Sequence, residues 1–254
     1  MDGDLNPLDP ADWFARKPAP EWRVLEQGRY RYASCAVGQN DFAPNDVEER
    51  YTVFVRDTDG RHYVRAQRDA RRTPAGVELR VESWGDEHRI DRVQLNLIGE
   101  SDAVSATYAM SQNDVTVRFG PAPNVREGES IGLPPGCLCL PLTRNYLGPV
   151  IAAISRRQNG TAPVLVPDLR DVRSSTVLSP LIGTREVSLC PESTEIGRST
   201  SGAVRAYHFV GGPYDRRSVF WVCGETHRLV RYLFTAESGE RWSAEWVGMD
   251  TQPV

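Results

Sequence analysis

One histidine and three acidic residues are the side chains of this sequence best placed for acid–base chemistry. His208 alternates with small apolar residues in the segment Val204 to Val210, so desolvation would hold its imidazole neutral, and it is either a core histidine or a proton-transfer group. Asp91 shares a strand face with apolar residues, so it lies either at a strand mouth or in the interior with an arginine partner. With Glu82 and Glu245, these residues are the candidates for a general acid or base.

Large aromatic side chains are the second group with functional potential, and they are concentrated near the C-terminus. Ligand pockets are mostly apolar and aromatic, with few polar groups. We therefore expect some of these rings to line a pocket and others to form the core. The candidates for ligand binding are Trp84, Tyr108, Met110, Phe119, Trp221, Tyr232, Trp242 and Trp246.

Signatures of metal, nucleotide and hydrolase sites are missing from the sequence. Residues 197–202 contain Gly, Ser and Thr but not the lysine of a P-loop, and neither Gly-x-Ser-x-Gly nor His-Glu-x-x-His occurs. Cys137 and Cys139 are separated by a single residue, which is too close for a zinc knuckle, so we expect structural thiols. No metal and no cofactor is therefore expected.

Period-two alternation predicts that the candidate residues are carried by antiparallel strands. The segment Glu49 to Arg56 alternates in this way, and the turn Asp57 to Gly60 joins it to the next segment. The same pattern predicts about seven strands before the middle of the chain and six after it. Between them, one helix is predicted over residues 143–158. Thr143 can cap this helix, and Pro149 then falls in its first turns, which is tolerable only if the helix starts near Leu147 or Gly148.

A sheet of about a dozen strands must curl or close, because open twisted sheets rarely exceed roughly ten strands. We therefore predict a mainly β fold, in which an antiparallel curled sheet closes into a barrel or spiral β-roll around an apolar cavity, with one central helix. Residues 1–20 are predicted to form an extended lead-in from which Trp13 and Phe14 dock on the body. Residues 21–250 are expected to form a single domain.

Composition limits the partners and the cellular setting. The net charge of −4, with charges of alternating sign, disfavours nucleic acid, and no apolar stretch is long enough to span a membrane. The first ten residues lack the basic and apolar regions of a secretory signal, so we expect a soluble cytoplasmic protein. Lys17 is the one lysine among 30 basic residues, a bias typical of GC-rich bacterial genomes. A homodimer is left open.

The segment Pro163 to Val247 resembles the C-terminal half of bacterial spiral β-roll proteins related to lipoprotein carriers and glycolipid-binding proteins. The resemblance lies in "PVLVPDLRDV", "AVRAYHFVGG" and "VFWVCGETHRLVRYLFTAESGERWSAEWV", which read as strands that end in an aromatic strand. It implies a half-barrel sheet that wraps a helix and holds an apolar ligand. In overall character the chain is also similar to cofactor-free β-barrel cyclases of bacterial polyketide pathways.

Two functions fit these expectations, and both need a cavity. The first is a cofactor-independent cyclase or isomerase of a bulky, polyketide-like substrate, in which the pocket holds reactive conformers. The second is a non-catalytic carrier or binding protein for a lipid or glycolipid. A structural protein would instead have a fully packed interior, without a void of about 300 Å³.

Overall fold

The computed structural model describes residues 13–14, 17–86, 89–100, 102–120, 126–191 and 202–248. Within this part of the chain, fifteen strands and one complete helix are present. The elements are β1 (Trp22–Cys35), β2 (Ala43–Arg56), β3 (His62–Ala70), β4 (Val77–Gly85), β5 (Ile90–Ile98), β6 (Ala103–Met110), β7 (Asp114–Phe119), β8 (Arg126–Gly132), β9 (Leu138–Cys139), α1 (Arg144–Ser155), β10 (Thr161–Pro167), β11 (Pro180–Leu189), β12 (Val204–Val210), β13 (Val219–Cys223), β14 (Leu229–Thr235) and β15 (Arg241–Trp246).

All fifteen strands belong to one sheet whose order follows the chain. From β1 the sheet extends through β2 to β8 on one side, and through β15 back to β9 on the other. The antiparallel pairing of β1 with β15 brings the first and last strands together. The two edges, β8 and β9, are consecutive in sequence and are joined by residues 133–137. The sheet is therefore curled, but it is not closed by hydrogen bonds.

Helix α1 fills the inside of this curl. β9 and β10 pair in parallel, and a parallel pair requires a crossover connection, which α1 supplies. Leu147, Ile151 and Ile154 of the helix are buried in one core cluster with residues from both halves of the sheet. We call the sheet face that packs on α1 the inner face and the opposite one the outer face. The predicted mainly β fold, with a curled antiparallel sheet and a central helix, is confirmed.

The helix begins earlier than the proline suggests. It starts at Arg144, after the N-cap Thr143, so the helix start predicted at residue 143 is confirmed. Pro149 lies inside the helix, and the later start near Leu147 or Gly148 that it suggested is wrong. Pro149 is exposed, whereas Val150 and the residues facing the sheet are buried, so tertiary packing offsets the hydrogen bond that proline removes. Within the described residues, no helix combines the length and apolar character needed to cross a bilayer.

Two of the strands were not expected from the sequence. The N-terminal lead-in lies only partly within the described residues. β8 and β9 were not predicted, because β8 is polar and β9 has only two residues. Trp13 packs on the outer face as expected, with the guanidinium of Arg65 at 5.6 Å and that of Arg80 at 5.8 Å from its ring centre. Residues 1–12, 15–16 and 249–254 lie outside the described residues, and the domain limits remain a prediction.

Candidate functional site

A row of side chains crosses the inner face near the N-terminal end of α1. Tyr32 of β1 pairs with Ala244 of β15, and Ala244 pairs in turn with Tyr232 of β14. Because Ala244 carries only a methyl group, the two tyrosine rings meet over it edge to face, with centres 6.4 Å apart. Phe220 of β13 stacks on Tyr232 at 5.7 Å and extends the row. The strand register therefore builds a continuous aromatic surface inside the curl.

Glu49 of β2 is a fully buried carboxyl group beside this row. It accepts a hydrogen bond from the Tyr32 hydroxyl at 2.7 Å and another from the backbone N–H of Arg144. Thr143 makes no side-chain cap bond, so Glu49 caps the helix from a distant strand. Burial raises the pKa of Glu49, although Arg144 and Arg68 oppose the shift. The shift moves this carboxyl toward the range that suits general acid–base chemistry.

Two arginines reach the same row, and within the described residues neither forms an ion pair. Arg68 of β3 lies with its guanidinium 5.5 Å from the ring centre of Tyr32. The guanidinium of Arg144 lies 4.9 Å from the ring centre of Tyr232, and its Nη2 atom is 3.4 Å from the Tyr232 hydroxyl. Among the described residues, neither arginine has an acidic oxygen within 4.0 Å, and both Nε atoms are buried without a hydrogen bond. The site therefore carries uncompensated positive charge.

Three half-buried aromatic residues continue the row toward one end of the curl. Tyr214, in the β12–β13 connection, packs edge to face on Phe234 at 5.3 Å, and Phe234 is the cross-strand neighbour of Trp242. Arg185 of β11 lies beside the turn that carries Tyr214, where burial lowers the pKa of its guanidinium. We call this set the basic–aromatic mouth. It comprises Arg68, Arg144, Arg185, Tyr32, Tyr214, Tyr232, Phe234 and Trp242.

The backbone that leads into the helix is strained beside this mouth. Leu142 has a φ of 72°, a left-handed conformation that costs a non-glycine residue on the order of 1 kcal/mol or more. The next residue, Thr143, is completely buried, and Arg144 follows as the first residue of α1. The conformation of Leu142 thus delivers the helix N-terminus to Glu49. Strain of this kind is often found at functional sites.

The structure places His208 and Glu245 on the outer face, away from α1. His208 shares its face with Ala206 as expected, but that face points away from α1, and the imidazole Nδ1 lies 3.2 Å from the carbonyl oxygen of Ser218. Glu245 is exposed and lies opposite Arg31 and Arg231 in the strand register. Neither residue approaches the basic–aromatic mouth.

The other two acidic candidates are paired with arginines. Asp91 lies at the end of β5, where its carboxylate is 2.5 Å from Arg61 and 3.6 Å from Arg89, which matches the strand-mouth alternative. Glu82 is on the outer face, hydrogen-bonded to Tyr63 and 3.4 Å from Arg65. The structure therefore does not bring the four candidates together, and their catalytic roles remain predictions.

The predicted ligand-binding residues divide between the two faces. Tyr232 and Trp242 belong to the basic–aromatic mouth. The remaining inner-face candidates pack into or against the main core, and they are Tyr108, Met110, Phe119 and Trp246. Trp84 and Trp221 lie on the outer face in two small separate clusters. The ligand roles of all eight residues stay predictions.

Sequence reasoning missed all the charged residues of this site, the three arginines of the mouth and Glu49 beside it, although alternation contains a signal for Glu49 and Arg68. Glu49 is in phase with Tyr51 on β2, and Arg68 is in phase with Val64 and Ala66 on β3, which are all buried. A charged residue in phase with buried apolar residues is an expected marker of an interior polar site. Arg144 has no such signal, because its position depends on how α1 docks.

Two open clefts also occur, of about 310 and 330 Å³. The first lies where the β1–β2 register shifts, and its lining includes Arg29, Arg31 and Glu48. The second lies on the outer face of β5, β6 and β7, and its lining includes Arg92 and Thr107. Both clefts are open and lined in part by arginines, so neither is the enclosed apolar cavity that we expected. That cavity remains a prediction.

Comparison with known proteins yields one structural similarity that we report. No protein-family model matches the chain, and no curated protein matches it significantly. Among solved structures, the crystal structure of a β-barrel-like protein of the domain of unknown function DUF1849 from Brucella abortus is similar, with a TM-score of 0.46 and 9% sequence identity. The match covers 90% of this chain and 99% of that chain. We draw no function from a similarity at this level.

Proposed function

We propose that this protein binds an apolar small molecule at the basic–aromatic mouth. The observation that carries the proposal is the difference in burial between aromatic residues of the inner face. Tyr30 and Phe209 are completely buried, whereas Tyr214, Phe234 and Trp242 remain partly accessible at the end of the curl. Accessible rings in a concave setting offer the apolar contact that ligand sites use.

A second candidate function is acid–base isomerisation or cyclisation of a polyketide-like substrate without a cofactor. Glu49 favours it, because this buried carboxyl has a raised pKa and is hydrogen-bonded to Tyr32. In this reaction Glu49 would take a proton from a carbon next to a carbonyl group, and Arg144 would stabilise the negative charge that develops on the carbonyl oxygen. The non-catalytic alternative is a carrier for the same class of ligand.

Binding is tested with a neutral apolar fluorescent probe, Nile red, titrated into the full chain. Trp242→Ala is expected to weaken binding about 10-fold, because a buried aromatic contact of roughly 1.5 kcal/mol is lost. Trp221→Ala is the matched control, since it removes the same side chain from the outer face. Equal affinity of both variants and the wild-type chain would exclude binding at the mouth.

Catalysis is tested separately from binding. The chain is incubated with polyene and β-ketoacyl compounds that bind it, and the products are followed by mass spectrometry. Conversion by the wild-type chain that Glu49→Gln abolishes, with binding retained, supports the enzyme. Binding without conversion supports the carrier.

A further inference from the structure

We infer that the ligand of the basic–aromatic mouth carries an anionic head group, a carboxylate or a phosphate, held between Arg68 and Arg144 with Arg185 at the entrance. The inference rests on the proposed function, because it names the ligand class of the same site. An amphiphile of this kind would place its apolar chain along Tyr214, Phe234 and Trp242.

The charge balance of the site supports an anionic head group. Buried charges in proteins are normally paired, because desolvation without a partner is costly. Within the described residues, the side chain of Arg68 donates no hydrogen bond, and that of Arg144 donates one, to the Tyr232 hydroxyl. Arg185 likewise has no acidic oxygen within 4.0 Å in this part of the chain. Arg68 and Arg144 therefore face one carboxyl group, Glu49. Arg185 lies beside Tyr214 at the entrance.

Glu49 does not neutralise both Arg68 and Arg144. Its carboxylate already accepts hydrogen bonds from the Tyr32 hydroxyl and the Arg144 backbone N–H. Even when Glu49 is ionised, Arg68 and Arg144 leave one positive charge in excess. Burial favours the protonated form of Glu49, and in that form both positive charges of Arg68 and Arg144 are in excess.

Arg228 provides an internal comparison for the unpaired arginines. Its guanidinium also lies over an aromatic ring, 4.1 Å from the centre of Trp246, whose indole belongs to the edge of the main core. Unlike Arg68 and Arg144, it has an acidic partner, Glu26, at 2.8 Å. An arginine over an aromatic ring can therefore be given a close counter-ion in this fold, whereas among the described residues no acidic oxygen lies within 4.0 Å of Arg68 or Arg144.

The geometry of the arginines suits an oxyanion. A guanidinium presents planar N–H donors that match two oxygens of a carboxylate or a phosphate. The two guanidinium groups lie over the rings of Tyr32 and Tyr232, and both Nε atoms are buried without a hydrogen bond within the described residues. The partial exposure of both arginines provides access.

Calorimetric titration of the full chain with matched twelve-carbon compounds, each kept below its micelle concentration, tests this inference. Dodecanoate and dodecyl phosphate are expected to bind at least about 10-fold more tightly than dodecanol. Arg68→Gln and Arg144→Gln should each weaken binding of the anions by about 10- to 100-fold and leave dodecanol unaffected. Arg92→Gln, on the outer face over Trp84, is the control and should change nothing.

Each contrary result overturns a distinct part of the inference. Equal affinities for dodecanol and the two anions, unchanged in the arginine variants, would exclude an anionic head group while leaving apolar binding intact. Failure of all three compounds to bind would exclude the proposed function as well. Inorganic phosphate that binds as tightly as dodecyl phosphate would identify a free-phosphate site and exclude the amphiphile. Arg144→Lys, which keeps the charge but removes the planar fork, replaces Arg144→Gln if circular dichroism shows that the latter does not fold.

Discussion

Arg68 and Glu49 occupy directly opposite positions in the β2–β3 register, yet they form no ion pair within 4.0 Å. The Glu49 carboxylate instead accepts hydrogen bonds from Tyr32 and from the first backbone N–H of α1. Arg68 lies over the ring of Tyr32. Glu49 thus caps the helix, and the guanidinium of Arg68 has no ion pair among the described residues.

Replacing Arg68 with methionine should stabilise the ligand-free protein. Methionine retains the apolar stem and removes a desolvated charge without a close acidic partner, so we expect a gain of about 1 kcal/mol in the free energy of unfolding. Urea denaturation measures the change. Arg92→Met is the control and should stay within about 0.5 kcal/mol of the wild-type chain. A clear loss of stability in Arg68→Met would show that Arg68 serves mainly to support the Glu49 charge.

Glu49 should make the protein less stable as the pH rises. Because its pKa is raised in the folded state, the folded chain holds this proton more tightly than the unfolded chain does. The resulting stability is fully present below the unfolded pKa of about 4.3 and is lost as the pH rises through the folded pKa. In urea denaturation from pH 4 to 8, the wild-type chain should lose stability relative to Glu49→Gln. The opposite trend would mean that Arg68, Arg144 and Tyr32 together favour the ionised form.

The hydrogen bond between Ser83 of β4 and Tyr146 of α1 should contribute to helix docking. The two hydroxyl oxygens are 2.6 Å apart and both residues are buried, so Tyr146→Phe leaves the serine unsatisfied and should cost about 1–2 kcal/mol. In a double-mutant cycle with Ser83→Ala, the two losses should sum to more than the loss of the double variant. Strict additivity would contradict the interaction. Tyr207→Phe, whose hydroxyl forms no hydrogen bond within the described residues, is the control.

Gly148, the single glycine of α1, should be hard to replace. A Cβ atom there would lie 2.3 Å from the carbonyl oxygen of His227 and 2.4 Å from the backbone nitrogen of Leu229, and neither backbone atom can move freely. We expect Gly148→Ala to cost about 3 kcal/mol, measured as a lower midpoint of thermal unfolding. Gly132→Ala in edge strand β8, where a Cβ would meet no atom within 4 Å, should be nearly neutral. Similar midpoints for both variants would show that α1 can shift away from the β13–β14 connection.

Much of the architecture could be predicted because strand alternation is a local property. The segments around Glu49 to Arg56 and Val204 to Val210 were recognised from a few neighbouring residues, and both are strands. β8 and β9 escaped prediction because one is polar and the other is very short. The helix start at residue 143 was predicted correctly, whereas the later start suggested by Pro149 was wrong, since the packing of α1 is not visible in local sequence.

The sequence by itself determined which residues share a strand face and that the strands form a curled antiparallel sheet around one helix. It did not determine which face points inward, because a period of two is identical on both faces. That choice depends on the crossover through α1, and it separates His208 and Trp221 on the outer face from Tyr232 and Trp242 in the mouth. Only the tertiary structure brought Glu49, Arg68 and Arg144 together, because their proximity arises from strand register and helix docking between segments far apart in the chain.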